Sequence, residues 1–145
     1  MAIPFLACML AVSAVLHLPP RVLPAIQAVE GGGIGVARIN ANGTEDLGLM
    51  QVNSLWLPVL SRHTGLTREA LRERLVQDGC FNVAVAGAIM HLYLREAGGN
   101  LLAAVGNYYS HTPLRHQAYQ ERVTAAAARM FESGSANARK AAKPR

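Results

Sequence analysis

Apolar and polar positions follow a helical period along most of the chain. Residues 5–17 are an almost unbroken apolar run that reads as a helix, stopped by Leu18-Pro19-Pro20. Proline is tolerated in a first helical turn, so the same pair opens a second helix. There Val22, Leu23, Ile26 and Val29 fall at i, i+1, i+4 and i+7 on one face, and Pro24 is expected to delay or bend the first turn. This helix must end at Glu30, because Gly31-Gly32-Gly33 follows. Residues 34–47 lose the period; Asn40, Asn42-Gly43 and Thr44 make a turn signal with short strands on either side. Ser54 is placed to cap a helix through about Leu60. Thr67 caps another, with Leu71 and Leu75 inward and Arg68, Glu69, Arg72 and Glu73 outward. Asn82 to Ala97 reads as a long helix, apolar around Val85, Ile89 and Leu92 and hence central, and Gly98-Gly99 ends it. Asn100 opens a short helix running into Tyr108. Thr112-Pro113 caps a last helix to about Phe131, with Tyr119, Val123, Ala126 and Met130 along one face. Ser133 to Arg145 has no apolar period and is expected to be a disordered basic tail. The pattern predicts a mostly α fold of the α+β kind: one helical domain over residues 1–132, interrupted by an irregular, short β-hairpin segment. Such loops on a helical scaffold often carry function.

Composition narrows this picture. The length of 145 residues suits one domain with its own core and leaves no room for a separate binding module. Apolar residues make up 51% and charged residues 16%, which excludes a disordered chain and a heptad coiled coil. The formal charge of +5 points to an anionic partner, but Arg139, Lys140, Lys143 and Arg145 supply four of these charges. No acidic residue follows Glu132, so residues 1–132 carry only +1. The tail could hold the protein near anionic polymer, a membrane surface or a partner. Nucleic acid is not expected, since no recognition-helix motif or basic-aromatic interleaving is present. Two cysteines, Cys8 and Cys80, cannot build a structural zinc site; one disulfide and two buried thiols both remain open. The five histidines show no metal-binding spacing, and no phosphate-cradling glycine loop exists. No metal and no cofactor are expected. The apolar N-terminus has two readings. Val12-Ser13-Ala14 would pass as a signal-peptide cleavage site, but no Lys or Arg precedes the apolar run, so the first core helix is the alternative.

Three places could carry chemistry. Glu30 meets the negative end of a helix dipole, which disfavours the charged carboxylate, as an apolar setting would also do. A carboxyl kept protonated near neutral pH is what a general acid needs, and the glycines beside it would let a bulky substrate approach. The plainer reading is a solvated glutamate at a helix end. Gly48-Leu49-Met50-Gln51 joins a glycine, a soft apolar wall and an amide that both donates and accepts, a mix suited to an N-acetylated sugar. The plainer reading is a turn entering a helix. Tyr108, Tyr109 and Ser110 bring phenols that could orient a carboxyl, against simple core packing. Glu45 and Asp46 precede Gly48 and are candidates for a second carboxylate, against exposed turn residues.

Glu30, then Gly48-Leu49-Met50-Gln51-Val52-Asn53, then Tyr108 resembles the lytic transglycosylases with a goose-type lysozyme-like domain. The likeness is nearest to the small members that accompany secretion, pilus and conjugation machines. Asn42 to Ser54 followed by Trp56-Leu57-Pro58, Asp78-Gly79-Cys80-Phe81-Asn82-Val83, and Val105 to Ser110 extend the likeness over roughly residues 8–123. The family usually has Ser after the acid, where this chain has Gly31, and a Tyr-Asn motif where this chain has Tyr108-Tyr109. The resemblance implies a lysozyme-like fold and non-hydrolytic cleavage of the β-1,4 bond between N-acetylmuramic acid and N-acetylglucosamine in peptidoglycan. It makes Glu30 the acid and then the base, and has Tyr108 orient Glu30. It has Gly48, Leu49, Met50, Gln51, Asn53, Tyr108, Tyr109 and Ser110 hold substrate. It also implies a Cys8–Cys80 disulfide, and hence a periplasmic setting with the export signal upstream or in the apolar N-terminus. Expected partners are peptidoglycan strands and the secretion or conjugation apparatus, with the protein a monomer. The alternatives are a hydrolytic muramidase and a non-catalytic peptidoglycan-binding assembly protein.

Overall fold

The computed structural model describes residues 2–142, with side chains described through residue 130. Seven α-helices and a small antiparallel sheet are present among them, so the fold is mostly α with a minor β element. The helices are α1 (Leu6–Leu16), α2 (Val22–Glu30), α3 (Leu57–Thr64), α4 (Arg68–Gln77), α5 (Gly79–Glu96), α6 (Leu101–Tyr109) and α7 (Pro113–Ala142). The strands are β1 (Ala37–Ile39), β2 (Glu45–Leu47) and β3 (Val52–Asn53), in that order across the sheet. Ala37 pairs with Leu47, and Asp46 lies between Arg38 and Asn53 in the register.

Local chemistry explains most boundaries. Thr67 and Asn100 accept hydrogen bonds from Ala70 N and Ala103 N at 3.1 and 3.0 Å, as N-caps do. Pro24 sits buried in the first turn of α2 and neither delays nor breaks it. Gly31 ends α2 with φ +63°, a left-handed conformation suited to glycine. α5 begins at Gly79 rather than Asn82, because Asp78 caps it by accepting from Phe81 N at 3.0 Å. Ser54 is not the cap expected of it. Asn53 accepts from Leu55 N at 2.9 Å, and a 3-10 turn (Ser54–Trp56) precedes α3. The Ser54 hydroxyl instead accepts from Glu45 N at 2.9 Å, tying the turn to the sheet.

α7 continues to Ala142, past the end expected near Phe131. Ala136, Ala138, Ala141 and Ala142 are strong helix formers, and no proline falls between Pro113 and Pro144. Residues 143–145 of the expected tail lie outside the described residues.

α5 is the central element and packs against α1, α4 and α6, while α2 packs against α7. The core runs through Met9, Leu23, Ile26, Leu49, Met50, Leu75, Val83, Met90 and Tyr119. α1 belongs to this fold. It buries Met9 and Ser13, and Cys8 forms a disulfide with Cys80 at the start of α5, with 5.5 Å between their Cα atoms. Among the described residues no single helix is long and apolar enough to cross a membrane.

Candidate active site

Glu30 is the last residue of α2, and the packing of α2 on α7 decides its surroundings. The Tyr119 hydroxyl, from α7, donates to Glu30 Oε1 at 2.7 Å. Tyr119 is only 1% exposed and stacks on Tyr109 with ring centroids 5.1 Å apart. Burial raises the Glu30 carboxyl from 4.5 to about 7. The Tyr119 hydrogen bond opposes this by favouring the carboxylate; the nearby negative charge of Asp46 adds to the rise, and Arg122 and Arg38 offset part of it. Burial also pushes the Tyr119 phenol up, so it stays a neutral donor. A carboxyl with this setting exists in both protonation states near neutral pH and can give and take a proton.

The expected partner of Glu30 was Tyr108, and the structure corrects this. The Tyr108 hydroxyl donates to the Met50 carbonyl at 2.8 Å and holds the turn, not the acid. Tyr108 sits near the end of α6, whose packing on α5 aims the phenol at the turn below. Tyr119 was placed by its period on a core face, which is right. Its signal as more than filler is a phenol on an otherwise apolar stripe, since a buried hydroxyl needs a partner.

The segment Gly48-Leu49-Met50-Gln51 forms a buried turn braced from three sides. Asn82, fully buried, accepts from Met50 N at 2.8 Å and donates to the carbonyls of Leu47 at 2.8 Å and Leu75 at 2.9 Å. Gln51 adopts φ +55°, rare for a residue with a side chain, and its amide nitrogen donates to Gly48 O at 2.9 Å. Arg38 of β1 reaches under the end of α2. It donates to the carbonyls of Glu30 at 3.0 Å and Gly31 at 3.1 Å, and to Gln51 Oε1 at 3.4 Å. It thereby satisfies carbonyls that a helix C-terminus leaves open. Gly32 lies so close that a Cβ would collide with the carbonyl oxygens of Gly48 and Leu49. The acid helix, the sheet and the turn are therefore one unit.

This arrangement revises the expected substrate contacts. Leu49 and Met50 are core residues, and Gly48 packs against Leu75 and Asn82, so none of the three lines the cleft. The reason is that an apolar pair on a tight turn gains more from burial than from facing water. The Met50 amide and carbonyl are both engaged, and the Gln51 amide group is largely turned to its own loop. Gln51 lines the cleft as part of its floor.

The cleft itself is an open cavity of about 460 Å3 beside Glu30. Asn53, Tyr108, Tyr109 and Ser110 line it, as do Trp56 and Tyr93, whose rings meet edge to face at 6.0 Å. The two candidate second carboxylates part ways because neighbouring strand residues face opposite sides. Glu45 leaves the cleft and forms a two-pronged pair with Arg72, at 2.9 and 2.7 Å, which holds its carboxyl below the usual range. Asp46 lines the cleft and accepts from Asn53 Nδ2 at 3.1 Å. Among the described residues no three His, Cys, Asp or Glu side chains converge as a metal site would.

No protein-family model and no curated protein matches this chain.

Proposed function

We propose that the protein is a peptidoglycan lytic transglycosylase that opens the cell wall locally for a secretion, pilus or conjugation apparatus, working in the periplasm as a monomer. One observation carries the reading: a carboxyl raised to about 7 and held by Tyr119 opens on a cleft that also presents amides and aromatic rings. Rings offer faces to pyranose C–H groups, and amides match N-acetyl groups.

In this reaction Glu30 donates its proton to the glycosidic oxygen as the bond to the anomeric carbon breaks. The substrate's own N-acetyl oxygen supports the positive charge that develops there. The Glu30 carboxylate then takes the proton of the muramic 6-hydroxyl as that oxygen closes on the anomeric carbon. The products are a 1,6-anhydro-muramic end and a free N-acetylglucosamine 4-hydroxyl. One carboxyl suffices when the substrate supplies the second group. Arg38, Asn82 and Gly32 fix where that carboxyl stands.

The test is mass spectrometry of the fragments released from purified peptidoglycan. Anhydro ends made by the wild type and absent with Glu30→Gln are expected. Hydrolysis is the second reading, favoured by Asp46, whose negative charge lies in the same cleft and acts on Glu30. Reducing ends in place of anhydro ends, lost with Asp46→Asn, would establish it instead. Binding to the wall with neither product would make the protein a non-catalytic assembly factor.

A further inference from the structure

The acidic and basic side chains that line the cleft are Glu30, Asp46, His111 and Arg115. Three of them are answered from within the protein. Glu30 accepts from Tyr119, Asp46 accepts from Asn53, and His111 Nε2 meets Glu96 Oε1 at 2.8 Å. Arg115 has no hydrogen bond, ion pair or ring contact among the described residues. Its helix does not account for it either. It stands in the first turn of α7, where a cation is disfavoured by the helix dipole and no acidic residue offsets it. Nor does it serve the acid, since the cations that act on Glu30 are Arg122 and Arg38. The cleft thus carries two carboxyl groups and an open guanidinium.

We propose that Arg115 forms an anionic subsite of the cleft that takes a carboxylate of the glycan substrate, so that the protein prefers acidic, muramic-acid-bearing strands to neutral N-acetylglucosamine polymers. The inference rests on the reading of the cleft as a peptidoglycan site. A guanidinium fork matches a carboxylate in two parallel hydrogen bonds, which gives direction as well as charge. On such a strand the carboxylate comes from one of two sources: the free lactyl group of an unsubstituted muramic acid, or the peptide attached to it. A glycan seated with one sugar ether at Glu30 would be fixed in register by this second contact. The negative charge of Asp46, which acts on Glu30, would keep the carboxylate away from the acid itself.

Three ligands separate the possibilities: peptide-bearing strands, strands stripped of peptide by an amidase, and chito-oligosaccharides of matched length. Equilibrium binding is measured on the Glu30→Gln protein, with and without Arg115→Gln or Arg115→Lys, and cleavage on the corresponding proteins with Glu30 intact. Acidic strands are expected to bind about tenfold more tightly than chito-oligosaccharides, about 1.4 kcal/mol. Arg115→Gln is expected to erase that ratio, Arg115→Lys to keep part of it, and added salt to reduce it. In cleavage the Arg115→Gln loss is expected in KM rather than in kcat. Tight binding of the stripped form alone assigns the lactyl carboxylate, of the peptide-bearing form alone the peptide carboxylate, and of both a subsite that takes either. Equal binding of all three ligands, or a preference that survives Arg115→Gln, overturns the subsite. Failure to cleave any ligand refutes the enzymatic reading instead, and the binding ratio still decides the role of Arg115.

Discussion

At the scale of single residues, two phenols with different partners give opposite expectations. Tyr119 touches the Glu30 carboxyl, and its hydrogen bond favours the charged form. Tyr119→Phe is expected to move the alkaline limb of the pH–rate profile further up and to lower the maximal rate by about tenfold through poorer alignment. The Tyr108 hydroxyl donates to the Met50 carbonyl, while its ring stacks on that of Tyr119 at 6.5 Å. Tyr108→Phe is expected to cost about 1 kcal/mol of stability and to leave that limb in place. Rate profiles of both variants and their urea midpoints separate the roles. Glu30 itself carries a stability cost. Its folded value of about 7 lies above the ordinary 4.5, so the unfolded chain loses its proton first as pH rises. Stability is then lost across that window and stays lower above it. Glu30→Gln keeps an acceptor for Tyr119 and cannot ionise. Its advantage over the wild type is expected to be absent at pH 4 and to reach on the order of 3 kcal/mol at pH 8. Equal denaturation curves at pH 8 would show that Glu30 is not buried as described.

At the scale of elements, the braced turn is the part most sensitive to change. Asn82 alone satisfies one amide and two carbonyls that no water reaches. Asn82→Ala is expected to cost about 3 kcal/mol or more, and Asn82→Asp is no rescue, since an acidic oxygen faces two carbonyls. Gly32→Ala forces the end of α2 off the turn and is expected to cost about 2 kcal/mol, more than Gly31→Ala, which pays chiefly for a left-handed backbone. Urea denaturation of the four variants checks the order. These elements were unequally legible. The helices and the stop at Glu30 could be read because period, caps and glycines are local signals. The start of α5 was hidden because Gly79 is a poor helix former, though Asp78 marks it. The turn Gly48–Gln51 is marked by its glycine, but of its residues only Gln51 lines the cleft. Its residue types suit both a sugar and a core, and only tertiary packing decides. The phenol at Glu30 lies 89 residues away, and a period tells which face a residue is on, not what it meets there. Arg38 stands in the segment without a helical period and looks like any solvated arginine until α2 is laid across it.

At the scale of the whole molecule, the candidate site joins two halves of the chain, and the disulfide closes one of them. Glu30, Arg38, Asp46 and Gln51 come from between Cys8 and Cys80; Tyr93, Tyr108, Arg115 and Tyr119 come from beyond it. The closed segment spans 72 residues, so its cross-link removes much freedom from the unfolded chain. That constraint is worth about 4 kcal/mol in the chain-entropy picture. It also anchors α1, whose outer face is unusual. Leu6, Leu10 and Val15 are exposed, while Met9 is buried and Val12 packs over Gly87 of α5. A helix with so little amphipathic contrast has weak preference for one face and needs the bond to stay registered on α5. Reduction, or the paired change Cys8→Ser and Cys80→Ser, is therefore expected to lower unfolding stability by about 4 kcal/mol. Amides of α1 are expected to exchange with solvent first, before those of α5, because the cleft wall and Asn82 are held by α4 and α6 as well. Urea denaturation with and without reductant, read together with hydrogen exchange, tests both parts. An unmoved midpoint would mean that Met9 and Val12 alone hold α1. Simultaneous exchange of α1 and α5 would mean that the two halves open as one.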